Sequence, residues 1–151
     1  MAIYHCHCQV ISRGQGRSAV AAAAYRSGEK ITNSYDGVTH DYRKKKGIVY
    51  KEIMLCENAP EEWKDRAIFW NNIEQAERDT AARLAREFEI ALPVELSTEE
   101  QIDFVRAFVH ENFVNIGMCA DFAIHDKGDG NPHCHICLLY TSDAADDRIS
   151  V

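Results

Sequence analysis

Three histidines near the C-terminal end of the chain have the types and spacing to hold a metal ion. They lie in the stretch His125-Asp-Lys-Gly-Asp-Gly-Asn-Pro-His133-Cys-His135. Successive side chains on a strand point to opposite faces, so His133 and His135 share one. Gly128, Gly130 and Asn131 between them accept the positive φ that a tight reversal requires. Residues 122–125 and 132–136 therefore read as a hairpin, and pairing brings His125 to the face of the other two. Three neutral imidazoles with coordination positions left open can place a substrate oxygen on a divalent ion. The competing reading is a set of ordinary, separately satisfied histidines. A second competitor is a structural zinc site closed by Cys137, which shares the strand face of His133 and His135.

An ion held this way can bind a phosphodiester oxygen and withdraw charge from phosphorus. The candidate nucleophile is Tyr25, because residues 19–27 form an alanine-rich helix that can lie close against a sheet. Arg26 beside it is suited to steadying a phosphate. Attack by the phenol would leave a covalent phosphotyrosine and a free 3′-hydroxyl; otherwise Tyr25 simply fills space between helix and sheet. Glu87 and Glu89 share one face of a strand whose other face carries Phe88, Ile90 and Leu92. If the apolar set packs inward, the carboxylates join the histidines, to orient a ligand or take the tyrosine proton. Exposed salt bridges are the alternative for both. Asp121, on the His125 face of its strand, is a weaker candidate for support.

The bulk numbers fit a domain that could do this. The chain has 151 residues, 46% of them hydrophobic, enough for one domain with a real core. Its net charge of −7 argues against a nucleic-acid partner until the charge is divided. Residues 1–51 hold nine Lys/Arg and three Asp/Glu, a balance of +6; the remainder holds eight against twenty-one. Arg13, Arg17, Arg26 and the run Lys44, Lys45 and Lys46 are the candidates for contact with a phosphate backbone, since that attraction is local at physiological salt. For the run Arg43–Lys46 alone, a solvated loop is the simpler account. Six scattered cysteines read as free thiols. No apolar run reaches the roughly 18 residues of a membrane span and no export segment opens the chain, so the expected location is cytoplasmic.

Positioning falls to the surrounding elements. Residues 3–11 alternate as a first strand, which splits His5 and His7 from Cys6 and Cys8 and so excludes a zinc cluster there. Residues 33–47 look like loop, and 48–55 like a second strand. A helix starts at Ala59-Pro60 and keeps helical composition to about Leu84, with Trp63, Ala67, Trp70, Ile73 and Ala76 as core. Residues 87–92 form a third strand. Ser97 and Glu100 make a capping box for a helix to about Asn112. The order predicts an α+β fold, a mainly antiparallel sheet with helices packed on one face and the other left open for the site.

Several of these segments together resemble the N-terminal relaxase domain of the MobA/MobL (MobQ-type) plasmid mobilisation proteins, within the HUH endonucleases. The resemblance rests on the opening Met-Ala-Ile-Tyr-His and on Ser12-Arg-Gly-Gln-Gly-Arg-Ser-Ala-Val-Ala-Ala-Ala-Ala-Tyr25-Arg-Ser-Gly-Glu29. It continues through Asp41-Tyr42, Phe69-Trp70-Asn71-Asn72-Ile73-Glu74, Leu84-Ala-Arg-Glu-Phe-Glu-Ile-Ala-Leu-Pro93 and Asn131-Pro-His133-Cys-His135, covering about residues 1–137. It implies an enzyme that nicks one DNA strand at a transfer origin, stays on the 5′ end through Tyr25, and later rejoins it. His125, His133 and His135 match the ligands of its Mg²⁺ or Mn²⁺, sites where Zn²⁺ or Ni²⁺ would bind more tightly in vitro. The implied partners are single-stranded DNA, accessory mobilisation proteins and a coupling protein. An HUH replication initiator or transposase would share the site chemistry. After Ile136 the chain departs from the family pattern and reads like a translated sequencing adapter. The expected division is therefore a relaxase domain over 1–138, incomplete at its C-terminus, and a non-native tail over 139–151.

Overall fold

A computed structural model describes residues 6–139. His5 and the expected tail, apart from Leu139, lie outside the described residues. The elements run β1 (Cys6–Ser12), α1 (Ala19–Ser27), β2 (Lys30–Thr32), β3 (Thr39–Asp41), β4 (Ile48–Met54), α2 (Arg66–Ala76), β5 (Arg83–Ala91), α3 (Thr98–Asn112), β6 (Ala120–His125) and β7 (His133–Leu139). Five strands form one antiparallel sheet in the order β1-β5-β7-β6-β4, and β2 pairs with β3 in a separate hairpin. The α+β class and the antiparallel sheet are as expected.

Register decides which residues meet. His125 pairs with His133 across β6 and β7, Ala123 with His135, and His135 in turn with Glu89 on β5. One step further, Asp121, Cys137, Glu87 and Gln9 form the next row across four strands. All of these point to one face. The opposite face carries Ile90, Phe122, Ile124, Cys134 and Ile136, and it packs against Val105 and Val109 of α3. α1 and α2 cover the site face through Ala23, Ala24, Phe69 and Trp70, which join Ala85, Cys137 and Leu139. Helices thus lie on both faces, because β6 is buried from Ala120 to His125 and needs cover on each side. The site remains reachable in a cleft beside α1.

Local chemistry explains the boundaries. Ser18 caps α1 by accepting from the Ala21 amide, and Gly28 ends it at φ +70, where a Cβ would meet Ile48 at 2.5 Å. The Ser97–Glu100 capping box of α3 is present in both directions. The expected single helical face becomes two, and two further expectations fail. The helix read from Pro60 to about Leu84 is a short 3₁₀ turn, then α2 alone, because Asp65 turns extended and caps a new start at the Ile68 amide. Strand pairing of β5 with both β1 and β7 overrides helical composition from Arg83 onward. Within the expected loop, β2 and β3 form a hairpin too short to leave a periodic signal. Among the described residues, no helix is long and apolar enough to cross a membrane.

Candidate metal centre and nucleophile

His125, His133 and His135 converge as the register requires. One nitrogen from each lies within 4.8 Å of the others. Their ring centroids are 5.4 Å (125–133), 4.5 Å (125–135) and 5.0 Å (133–135) apart. Ala123, the cross-strand partner of His135, has no bulk to displace that ring. Two rings are oriented by backbone carbonyls. His125 Nε2 is 2.8 Å from the carbonyl oxygen of Arg26, and His133 Nδ1 is 3.0 Å from that of Asn131. Carbonyls only accept, so the proton sits on those nitrogens, leaving Nδ1 of His125 and Nε2 of His133 with free lone pairs. Burial brings His125 down to about 4, and burial with the two neighbouring rings brings His135 down to about 3. Both are neutral at physiological pH, as ligands must be. The donor set fits a divalent ion.

The cleft beside this cluster has a volume of about 630 Å³. α1 contributes Ala21, Ala22 and Tyr25, and the sheet contributes Glu87, Glu89 and His135. Tyr25 is 48% exposed, so it does not fill space in the core. Glu89 Oε1 stands 4.0 Å from His135 Nδ1. Glu87 accepts from Gln9 at 3.0 Å and lies 3.8 Å from both Arg17 and Arg26. Lys45 reaches over the Tyr25 ring, 3.3 Å from its centroid, and burial with Lys127 nearby brings its ammonium down to about 8.

The six basic candidates separate by surroundings. Arg26 is 1% exposed, and its Nη2 donates to Asp121 Oδ2 at 2.7 Å. It faces the protein interior, with Nη1 3.8 Å from the cleft-lining Glu87, rather than standing open to a phosphate in solvent. Arg13 is likewise committed: it donates to the carbonyls of Glu74, Glu77 and Asp79 and to the Glu74 carboxylate, closing the C-terminal end of α2. Arg17 lines the cleft, and Lys44 and Lys46 are exposed on the loop after β3.

Asp121 does not touch the histidines. Burial opposes its charge, but the guanidinium groups of Arg26 and Arg66 hold it below the usual carboxylate range. Trp70 Nε1 also donates to it at 2.8 Å. Cys137 does not join the imidazoles either. It is fully buried against the helices, with its thiol pushed up to about 12, so the structural zinc reading lacks its fourth ligand. Sequence reasoning missed Arg66, Glu74 and His40. Arg66, Trp70 and Glu74 recur every four residues and so share one face of α2, which the apolar pattern concealed. Buried Glu74 accepts from Arg13, Ser18 and Asn33, tying α2 to α1 and the hairpin. His40 lines the cleft opposite the sheet with its Nε2 buried and without a hydrogen-bond partner.

Known proteins resemble this chain in sequence and in fold. The family model described as "MobA/MobL family" matches residues 17–146. The chain belongs to the MobA/MobL family. Among curated MobA/MobL-like relatives, "Conjugal transfer protein TraA" of Rhizobium radiobacter is 41% identical over 147 residues, 90% of this chain and 13% of its own length. "Mobilization protein MobL" of Acidithiobacillus ferridurans is 41% identical over 125 residues, 83% of this chain and 32% of its own. The chain thus spans less than a third of either relative. A solved chain from "Molecular Basis of Vancomycin Resistance Transfer in Staphylococcus aureus" superposes with a TM-score of 0.87 at 32% identity, covering 93% of this chain and 72% of that one.

Proposed function

We propose that this domain nicks one strand of DNA at a plasmid transfer origin and later rejoins it, for conjugative mobilisation, with Tyr25 as nucleophile. The observation that carries the reading is the shared support of the two halves of the site. The α1 turn that presents Tyr25 to the cleft also supplies the Arg26 carbonyl that orients His125. His125, His133 and His135 would hold a Mg²⁺ or Mn²⁺ ion, which when bound supplies charge withdrawal from the scissile phosphodiester. The phenol oxygen of Tyr25 forms the new bond to phosphorus as the bond from phosphorus to the 3′ oxygen breaks; the phenol proton passes to a base, and a proton returned from that base or from water makes the departing 3′ oxygen the hydroxyl of the other DNA end. Glu89, beside His135 and open to the cleft, would take that proton; Glu87, held by Gln9 and near two guanidinium groups, would keep the arginines in position. Attack by a 3′-hydroxyl on the phosphotyrosine reverses the step. Arg17, Lys44 and Lys46 would hold the single strand's phosphates in the cytoplasm, with accessory mobilisation and coupling proteins acting on the full-length protein.

The test needs no knowledge of the origin. The protein is incubated with Mn²⁺ and a pool of random single-stranded oligonucleotides, and DNA that survives denaturation on the protein is sequenced. The expected result is a 5′-linked adduct on Tyr25, found by mass spectrometry and absent from Tyr25→Phe. Adducts on another residue, or none from folded protein with metal, overturn the reading.

A further inference from the structure

The loop after β3 closes on Tyr25 from two sides. Lys45 Nζ stands 3.3 Å from the ring centroid and donates to the carbonyl oxygen of Tyr25 itself at 3.0 Å. Tyr42 meets the same ring edge-on, with centroids 5.3 Å apart and planes at 88°. A 3.0 Å hydrogen bond from the Lys45 amide to the Tyr42 carbonyl ties the two contacts into one rigid turn.

A lysine that serves a phosphate backbone extends into solvent as a mobile point charge. Lys45 does the reverse: it is half-buried, one donor is fixed on a carbonyl, and its charge faces an aromatic ring. Tyr25 needs such a constraint. It sits half-exposed in the last turn of α1, where the preceding turn offers only Ala21 and Ala22 and Gly28 follows, so the helix gives its ring little lateral packing. In-line attack on phosphorus requires a defined ring direction, and misplacement by about 1 Å can cost on the order of 10²-fold in rate.

We propose that Lys45 is a positioning residue that fixes the ring of Tyr25 for attack, rather than a contact to the DNA backbone. The proposal rests on Tyr25 being the nucleophile. It is tested with an oligonucleotide recovered from the random pool, separating binding by fluorescence anisotropy from adduct formation at saturating DNA. Lys45→Met is expected to slow adduct formation at least ~10-fold while shifting the dissociation constant by less than about twofold. Lys45→Arg, which keeps a cation on the ring, is expected to restore most of the rate. A loss that excess oligonucleotide makes good would make Lys45 an ordinary phosphate contact and overturn the proposal.

A second readout is independent of the reaction. In protein carrying 3-fluorotyrosine, the Tyr25 fluorine resonance, assigned with Tyr25→Phe, should move toward that of the free amino acid in Lys45→Met and stay in place in Lys45→Arg. An unmoved resonance in Lys45→Met overturns the proposal. If wild-type protein forms no adduct, the nuclease reading fails, and the fluorine signal still decides whether Lys45 fixes the ring.

Discussion

The backbone of Arg26 and the side chain of His125 are joined by a 2.8 Å hydrogen bond, and the side chain of that same arginine is anchored on Asp121 at 2.7 Å. One buried residue thus links a carboxylate on β6 to a candidate ligand four residues further along the same strand. Removing the carboxylate charge should therefore register twice. Asp121→Asn leaves the guanidinium groups of Arg26 and Arg66 without their shared counter-charge in a buried setting, which costs about 3–5 kcal/mol. Differential scanning calorimetry should show a fall of roughly 10 °C in Tm. Calorimetric titration with Mn²⁺ should show weaker binding as well, because the Arg26 carbonyl no longer stands firm behind His125. Unchanged stability would mean that the cluster is solvated.

The histidine cluster also sets a pH dependence for the metal-free protein. Folding brings His125 down to about 4 and His135 to about 3 from an ordinary value of 6.5, chiefly by burial. Below 6.5 the unfolded chain binds protons that the folded chain refuses, so stability is complete near neutrality and falls as pH drops from 6.5 toward 4. At pH 5 the expected loss is on the order of 1–2 kcal/mol per imidazole. Urea denaturation in the presence of a chelator at pH 7 and pH 5 measures it. His135→Leu should remove a clear part of the difference, and an equal pH dependence in that variant would contradict the burial of this ring.

What the sequence discloses here is what short-range spacing controls. The imidazole cluster followed from strand alternation plus one turn, and α1 and the α3 capping box followed from residues a few positions apart. The ion-pair partners of Arg13 and Arg26 were not legible, for the complementary reason. Their partners, Glu74 and Asp121, are 61 and 95 positions away, and a charge shows its sign in a sequence but not what it faces. The same applies to Lys45, whose ring partner lies across a fold that three-residue strands assemble without any periodic trace. Cys137 shows the limit of face arguments. It shares a face with the histidines yet lies one row further under α1 and α2, where the helices pack rather than where the cleft opens.

Arg13 and Arg17, four residues apart, should separate stability from DNA binding. Arg13→Ala removes four hydrogen bonds to the end of α2, one of them to buried Glu74, and should destabilise the fold by about 2–3 kcal/mol. Its affinity for a fluorescein-labelled oligothymidylate should stay near that of the wild type. Arg17→Ala should do the opposite: a change in stability within about 0.5 kcal/mol, and a salt dependence of oligothymidylate binding shallower by roughly one unit of slope. Equal loss of DNA affinity in both variants would return Arg13 to the set of phosphate contacts.

Metal binding distinguishes an open three-histidine site from a closed one. His135 stands between Glu89 and the other two rings, and its loss leaves two ligands. His135→Ala should weaken Mn²⁺ binding at least ~10-fold by calorimetric titration, a minimum set by what even outer partners of a ligand contribute. Cys137→Ala should leave Mn²⁺ affinity within about twofold, because the thiol is buried beneath the helices and its protonated state is favoured far above neutral pH. Zn²⁺ should bind the wild type more tightly than Mn²⁺ does, as imidazole donors dictate, and with the same indifference to Cys137. Binding confined to Zn²⁺ and abolished by Cys137→Ala would show a tetrahedral structural site, with no position left for a phosphate and no role for the neighbouring Tyr25.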